Sequence, residues 1–167
     1  MLKNSDKILL GLAVVVIVLP VFFSNIIIQP TKSLPPGLYL KSKLKGKLQV
    51  GDIVYVNFKN IPQRPNTYPI LKNMPKINFV KVIAGTFGSV INVSNDGIFI
   101  NGTYWGPVFK KDSKKRPLSR TIDGEYKLTK GWFLTLTPHP KSYDSRYYGP
   151  VHISQLQMAT PLILLPL

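Results

Sequence analysis

The sequence predicts a mainly β domain carried behind a single N-terminal transmembrane helix. Three features predict it: one long uncharged run near the start, recurring short β-type runs separated by turn residues, and fifteen prolines, which disfavour a helical bundle. A chain of 167 residues has room for one compact domain and a short appendage.

The first element is the anchor. Ile8 to Ile28 (ILLGLAVVVIVLPVFFSNIII) is 21 residues without a charge. At ~1.5 Å per residue a helix of that length covers roughly 30 Å, the thickness of a bilayer's hydrocarbon core. A cleaved signal peptide has an apolar stretch of only about 7–15 residues followed by a small-x-small site. Here the run is longer and no Ala-x-Ala follows it. A buried core helix would carry a polar stripe, which is absent. Lys3, Lys7 and the terminal amine precede the span and favour a cytoplasmic N-terminus, whereas Lys32, Lys41, Lys43, Lys45 and Lys47 argue the other way. Charge counting leaves the orientation open.

The strands come next. Asp52–Phe58, Phe79–Ile83, Val90–Val93, Gly97–Ile100 and Trp132–Thr137 have β-type composition, and Asn95-Asp96-Gly97 reads as a hairpin turn. Ile61–Asn78, with four prolines, reads as an excursion or loop. Lys110–Arg120 (KKDSKKRPLSR) reads as a basic, solvated surface loop. Pro161–Leu167 is apolar but too short to span, and is expected to pack on the domain or the bilayer surface.

Composition removes several chemistries. Without Cys there are no disulfides, thiolate zinc sites or cysteine nucleophiles. The seven acids (Asp6, Asp52, Asp96, Asp112, Asp123, Glu125 and Asp144) are scattered, which argues against a carboxylate metal cage or a glycosidase pair. His139 and His152 leave little material for a histidine metal site, so no metal and no cofactor is expected. A net charge of +15 calls for an anionic contact: nucleic acid, lipid headgroups or an acidic partner.

Three segments stand out as places for chemistry. Thr31-Lys32-Ser33-Leu34-Pro35-Pro36-Gly37-Leu38-Tyr39 sets a Ser before a rigid Pro-Pro-Gly turn, which suits a nucleophile. Standing alone, it reads as a polar linker. Lys81 lies among Phe79, Val80, Val82 and Ile83. Such a Lys either snorkels at an edge or is buried, and burial lowers its pKa and frees a neutral amine as base. In Ser142-Tyr143-Asp144-Ser145-Arg146-Tyr147-Tyr148-Gly149-Pro150, Asp144 and Arg146 are expected on one side of an extended strand, as an ion pair.

In this order, behind an anchor, these blocks resemble the S26 membrane signal peptidases. The matching residues are Ser33–Tyr39, Gly51–Val54, Lys81 with Gly85, Gly97–Gly102 and Ser142–Val151. Within the family the chain looks most like the conjugative-transfer (TraF-like) branch, because housekeeping leader peptidases carry Ser-Met where this chain has Ser33-Leu34. The resemblance departs at Val82, where an Arg is common, and at Gly85-Thr86-Phe87-Gly88-Ser89, which replaces Gly-Leu-Pro-Gly-Asp.

The resemblance implies a serine endopeptidase with Ser33 as nucleophile and Lys81 as general base, a variant of triad logic. It implies oxyanion-hole donors from the Ser33 backbone N–H and the Thr31 hydroxyl. It makes Ser142 the hydroxyl that orients the Lys amine, with Asp144 and Arg146 bracing that loop; in the conjugative branch the Asp has also been considered catalytic. The implied organisation is a cytoplasmic N-terminus at 1–7, an inner-membrane anchor at 8–28 and an S26-type domain at 29–167 in a Gram-negative periplasm. Its implied partners are an exported preprotein or prepilin, inner-membrane lipid and proteins of a transfer apparatus, with no nucleic acid. Two other readings stand beside this one: a housekeeping type I signal peptidase, and a non-enzymatic basic scaffold anchored in the membrane. Five residues separate Ile28 from Ser33, at most ~17 Å of extended chain, which would hold the hydroxyl near the membrane surface.

Overall fold

The computed structural model describes residues 3, 7, 9, 16, 20, 22–57, 79–118, 120 and 123–166. Among them, antiparallel strands form two sheets. The larger contains β1 (Ile26–Gln29), β2 (Gly37–Ser42), β3 (Ile53–Val56), β4 (Phe79–Gly85), β9 (Trp132–Leu136), β10 (Val151–His152) and β11 (Leu156–Leu164). Its strand order is β1-β2-β11-β3-β4-β9-β10, so the last long strand inserts between β2 and β3. The smaller sheet runs β7-β6-β5-β8, from β5 (Val90–Ser94), β6 (Gly97–Ile100), β7 (Thr103–Gly106) and β8 (Gly124–Lys127).

Alternation explains how these strands bury one face. In β3, Val54 and Val56 are buried while Ile53 and Tyr55 are half-covered; β5 buries Ile91 and Val93 in the same way. Ile83, Val54, Val56, Phe133, Tyr148, Val151 and Leu156 belong to one core cluster, on which Tyr143 packs. Ile91, Val93, Ile98, Ile100, Leu128, Leu134 and Leu136 join the two sheets in another. Ile27, Leu34, Tyr39, Val80 and Ala159 make a third. At roughly 25 cal/mol per Å² of apolar surface, burying each such side chain contributes about 1.5–3 kcal/mol.

The mainly β expectation holds, and each predicted strand has a counterpart with ends moved by at most two residues. The hairpin expected at Asn95-Asp96-Gly97 is present, with Ser94 paired to Gly97, so that Gly97 opens β6 and Asn95-Asp96 make the two-residue turn. A second hairpin, between β6 and β7, turns on Asn101 (φ 50°) and Gly102 (φ 78°), the left-handed pair that a type I′ turn requires. The Pro161–Leu167 run is partly a strand: residues as far as Leu164 pair with β2, and their side chains stay exposed. The Ile61–Asn78 segment lies outside the described residues. Within the basic loop, Asp112 forms an ion pair with Arg116 at 2.6 Å, and Lys111 bridges to Pro117.

The anchor boundary needs correction. Ile26–Ile28 are not the end of a helix; they are β1, paired with Leu40, Tyr39 and Leu38. Three consecutive β-branched residues favour extended backbone, and the β2 edge supplies the hydrogen bonds a helix would otherwise make. Residues 7, 9, 16, 20 and 22–24 are helical, but most of 8–21 lies outside the described residues. Among the described residues no helix is long and apolar enough to cross a membrane.

Candidate active site

The turn between β1 and β2 carries Ser33, and its flanking residues explain its shape. Leu34 is buried in the third cluster, and the Tyr39 hydroxyl donates to the Pro35 carbonyl at 2.7 Å, which ties the turn to the strand that follows. At Gly37 a Cβ would collide with the Ile163 carbonyl oxygen, so a side chain there would push β11 away from β2. The Leu165 N–H also donates to Pro36 O at 2.8 Å. Ser33 is thereby held half-buried on a braced loop. Its Oγ lies 3.0 Å from Thr31 Oγ1 and accepts from Gln29 Nε2 at 3.1 Å.

Lys81 sits in the middle of β4, opposite Val54 of β3, and is 4% exposed. It is therefore the buried, not the snorkelling, kind of strand lysine. Its Nζ donates to Ser142 Oγ at 2.9 Å. Burial pulls its pKa from 10.5 down to about 8; Asp144 opposes that fall and Arg146 assists it. Ser33 and Lys81 are each adjacent to a member of one apolar cluster, Leu34 and Val80 respectively. The Ser33 hydroxyl is bonded within its own turn, while the Lys81 amine is bonded to Ser142.

Ser142, Asp144 and Arg146 all come from the connection after β9, and here a second expectation fails. Asp144 and Arg146 are not on an extended strand. Asp144 caps the short helix Ser145–Tyr148, its Oδ1 accepting from the Arg146 backbone N–H at 3.2 Å. An Asp with extended backbone in front of a free N–H is a favoured cap, and that local geometry wins over strand formation. The ion pair itself is present, with Arg146 Nε 3.3 Å from Asp144 Oδ1 and both side chains fully buried, although the angle falls outside hydrogen-bonding geometry. The guanidinium also donates to Thr137 O at 2.7 Å, Pro140 O at 2.8 Å and His139 O at 3.4 Å. Asp144 Oδ2 accepts from the Thr137 N–H at 3.3 Å. Full burial pushes the Asp144 carboxyl above its usual range, against the pull of Arg146, Lys81 and two backbone N–H groups. Ser145 and Tyr148 hydrogen-bond Thr135 of β9, at 3.0 and 2.8 Å between hydroxyls, and fix the helix to the sheet.

The histidines have structural work. His139 Nδ1 accepts from the Lys141 N–H at 3.2 Å, and His152 packs edge-on against Trp132 and hydrogen-bonds Ser154 at 2.9 Å. Among the described residues no group of His, Asp and Glu could hold a metal ion. We expect the double His139→Ala, His152→Ala protein to keep its turnover, measured as cleavage of a preprotein, with a small drop in melting temperature. Loss of turnover in a folded double variant would show that imidazole takes part in the chemistry.

A deeply buried amine with a lowered pKa, hydrogen-bonded to a hydroxyl and backed by a carboxylate–guanidinium pair, can accept and return a proton near neutral pH. With a half-buried serine on a braced turn, that chemistry belongs to hydrolases working through a hydroxyl nucleophile. The family model for signal peptidase, peptidase S26, matches residues 2–164, and the chain belongs to that family. Membership makes it a signal peptidase, a serine peptidase acting on preproteins. Among solved structures, a signal peptidase I from Enterococcus faecalis V583 is similar at 21% identity, over 72% of this chain and 100% of that one, with a TM-score of 0.37. No curated protein matches the chain.

Gln29 was hidden from the sequence, and so was the reach of Asp144 to Lys81. Gln29 is 3% exposed and donates into the Ser33 turn, and the only hint was a polar residue closing an isoleucine run. Asp144 acts on Lys81 electrostatically across 63 positions of chain, a proximity that local charge patterns do not encode.

Proposed function

We propose that Ser33 and Lys81 form the working dyad of this signal peptidase, with Ser33 attacking the scissile carbonyl and Lys81 taking its proton. The observation that carries the reading is the buried Lys81 amine, with a pKa of about 8 and Ser142 at 2.9 Å to aim it. Ser33 Oγ would keep its bonds to Thr31 and Gln29 while its approach to the amine tightens as substrate binds. Such tightening on substrate binding is usual for catalytic hydroxyls. The Ser33 backbone N–H and the Thr31 hydroxyl would receive the oxyanion, and Asp144 with Arg146 would keep the Ser142 loop in place.

The same reading anchors the chain in the inner membrane with its domain in the periplasm. Since the helical residues end at Ser24 and β1 begins at Ile26, the uncharged run left for a span is 8–24, at ~1.5 Å per residue roughly 25 Å of helix, the short end of what crosses a bilayer. Exposed Ile28 of β1 and exposed Ile163 of β11 are both in register with Leu38 of the β2 strand between them, and with exposed Phe22 and Phe23 before β1 and Leu162 and Leu164 on β11 they offer apolar surface suited to lipid. Ser33-Leu34-Pro35-Pro36-Gly37 favours the conjugative branch and hence maturation of a pilin for transfer. The experiment is cleavage by the full chain in membrane vesicles, offered one pilin precursor and a set of secretory preproteins. Cleavage of the pilin alone supports the conjugative role, and broad cleavage supports the housekeeping one. Equal yields from the native chain and Ser33→Ala would leave only the scaffold reading.

A further inference from the structure

We infer that Gln29 is a positioning residue that sets the direction of the Thr31–Ser33 hydroxyl pair; the inference rests on the reading of Ser33 as nucleophile. Gln29 ends β1 with its side chain on the buried side, as Ile27 is, and only 3% of it is exposed. Packing alone would be served by an apolar residue there, since a buried amide is unfavourable unless it is hydrogen-bonded. Its nitrogen is fully used. Nε2 lies 3.1 Å from the Thr31 carbonyl, 2.7 Å from Thr31 Oγ1 and 3.1 Å from Ser33 Oγ.

The carbonyl settles which end of the amide faces the turn. A backbone oxygen only accepts, so the NH₂ group and not the amide oxygen must point at it. The two hydroxyls, on the same nitrogen, therefore both accept from Gln29, with one N–H shared between neighbouring acceptors. Having accepted, the Thr31 hydroxyl has one proton to give, and Ser33 Oγ is 3.0 Å away. Ser33 Oγ then receives two donors, and its own proton is directed out of the turn, where a base can take it. As that proton leaves, both donors face the developing alkoxide and stabilise it. Once the oxygen has bonded to carbon, the Thr31 proton is free to turn toward the oxyanion. Gln29 touches no reacting atom of the substrate and acts through the two hydroxyls.

The test uses the full chain and whichever substrate the native chain cleaves, a pilin precursor or a secretory preprotein. Gln29→Leu and Gln29→Glu are made in the native and Thr31→Val backgrounds, with kcat, KM and melting temperature followed together. Both variants should lower kcat about 10- to 100-fold, somewhat less than the ~10²–10³-fold loss that follows removal of an oxyanion donor itself. KM and melting should hardly move. In the Thr31→Val background Gln29→Leu should lower kcat less than about threefold, because residues acting as a unit are not additive. Native-like kcat in Gln29→Leu, an undiminished loss on top of Thr31→Val, or a loss that follows melting temperature would overturn the inference. A crystal structure of Gln29→Leu reads the same point without turnover: the Thr31 and Ser33 oxygens should part, and their staying within hydrogen-bonding distance would also overturn it. A native chain that cleaves neither a pilin precursor nor a secretory preprotein sinks the nucleophile reading, while the crystal structure still decides whether Gln29 holds the pair.

Discussion

Lys81→Arg is expected to abolish cleavage at every pH, while leaving a chain that still binds substrate. A guanidinium stays protonated above pH 12, so it cannot take the Ser33 proton however well it is placed. In the native chain the amine has a pKa of about 8 rather than 10.5. At pH 7 that raises the neutral fraction about 300-fold over a solvated lysine. Activity should therefore climb as pH rises through about 8 and level off above it. Ser33→Ala should be as inactive as Lys81→Arg, and the double variant scarcely worse than either, because the two groups act as one unit. Substantial cleavage by Lys81→Arg where Ser33→Ala is silent would remove Lys81 as the base.

The same burial has a stability signature whose sign can be worked out. Unfolded, Lys81 titrates near 10.5; folded, near 8. Between those values the unfolded chain binds more protons, so stability rises with pH across that window. Below about pH 8 the full penalty is present, about 3 kcal/mol for holding the charged form in this site. Lys81→Met lacks the titrating group. Its melting temperature should lose the pH 8 to 10.5 slope that the native protein shows, a result read by calorimetry and independent of any substrate.

How legible was this site in the sequence? Residues whose role is local were readable. A serine before Pro-Pro-Gly announces a rigid turn, and a lysine among valines and isoleucines announces burial once a sheet covers it. The turn at Asn95-Asp96 and most strand positions follow from alternation and turn chemistry alone. What failed was competition between local signals. The Ile26-Ile27-Ile28 run continues the hydropathy of the segment before it, and only the tertiary pairing with Leu38–Leu40 assigns it to a strand. Asp144-Ser145-Arg146 alternates as a strand would, and only the open N–H behind Asp144 reveals the cap. Proximity across the fold was out of reach altogether. β11 inserts between β2 and β3, and the β9 connection brings Ser142 and Asp144 to Lys81, neither of which any window of sequence contains.

Arg146→Ala is expected to lose about 3–5 kcal/mol of stability, the usual consequence of leaving a buried charge without its partner. The guanidinium joins Asp144 to the carbonyls of Thr137, Pro140 and His139, so its removal unties both ends of the loop that carries Ser142. Arg146→Lys keeps the charge but loses the fork that serves several oxygens at once, and should recover only part of the melting temperature. Asp144→Asn separates structure from electrostatics more finely. The amide oxygen can still cap the short helix through the Arg146 N–H, while the negative charge beside Lys81 is gone. That charge holds the Lys81 pKa up. Its removal should shift the activity midpoint below about 8, together with a fall in stability from the unpaired Arg146. The decisive comparison is the pH–rate profile set beside thermal melting. A profile displaced to lower pH in a less stable protein supports Asp144 as the field that tunes Lys81. Unchanged melting with no turnover at any pH would instead place the Asp144 carboxylate among the groups that move the proton.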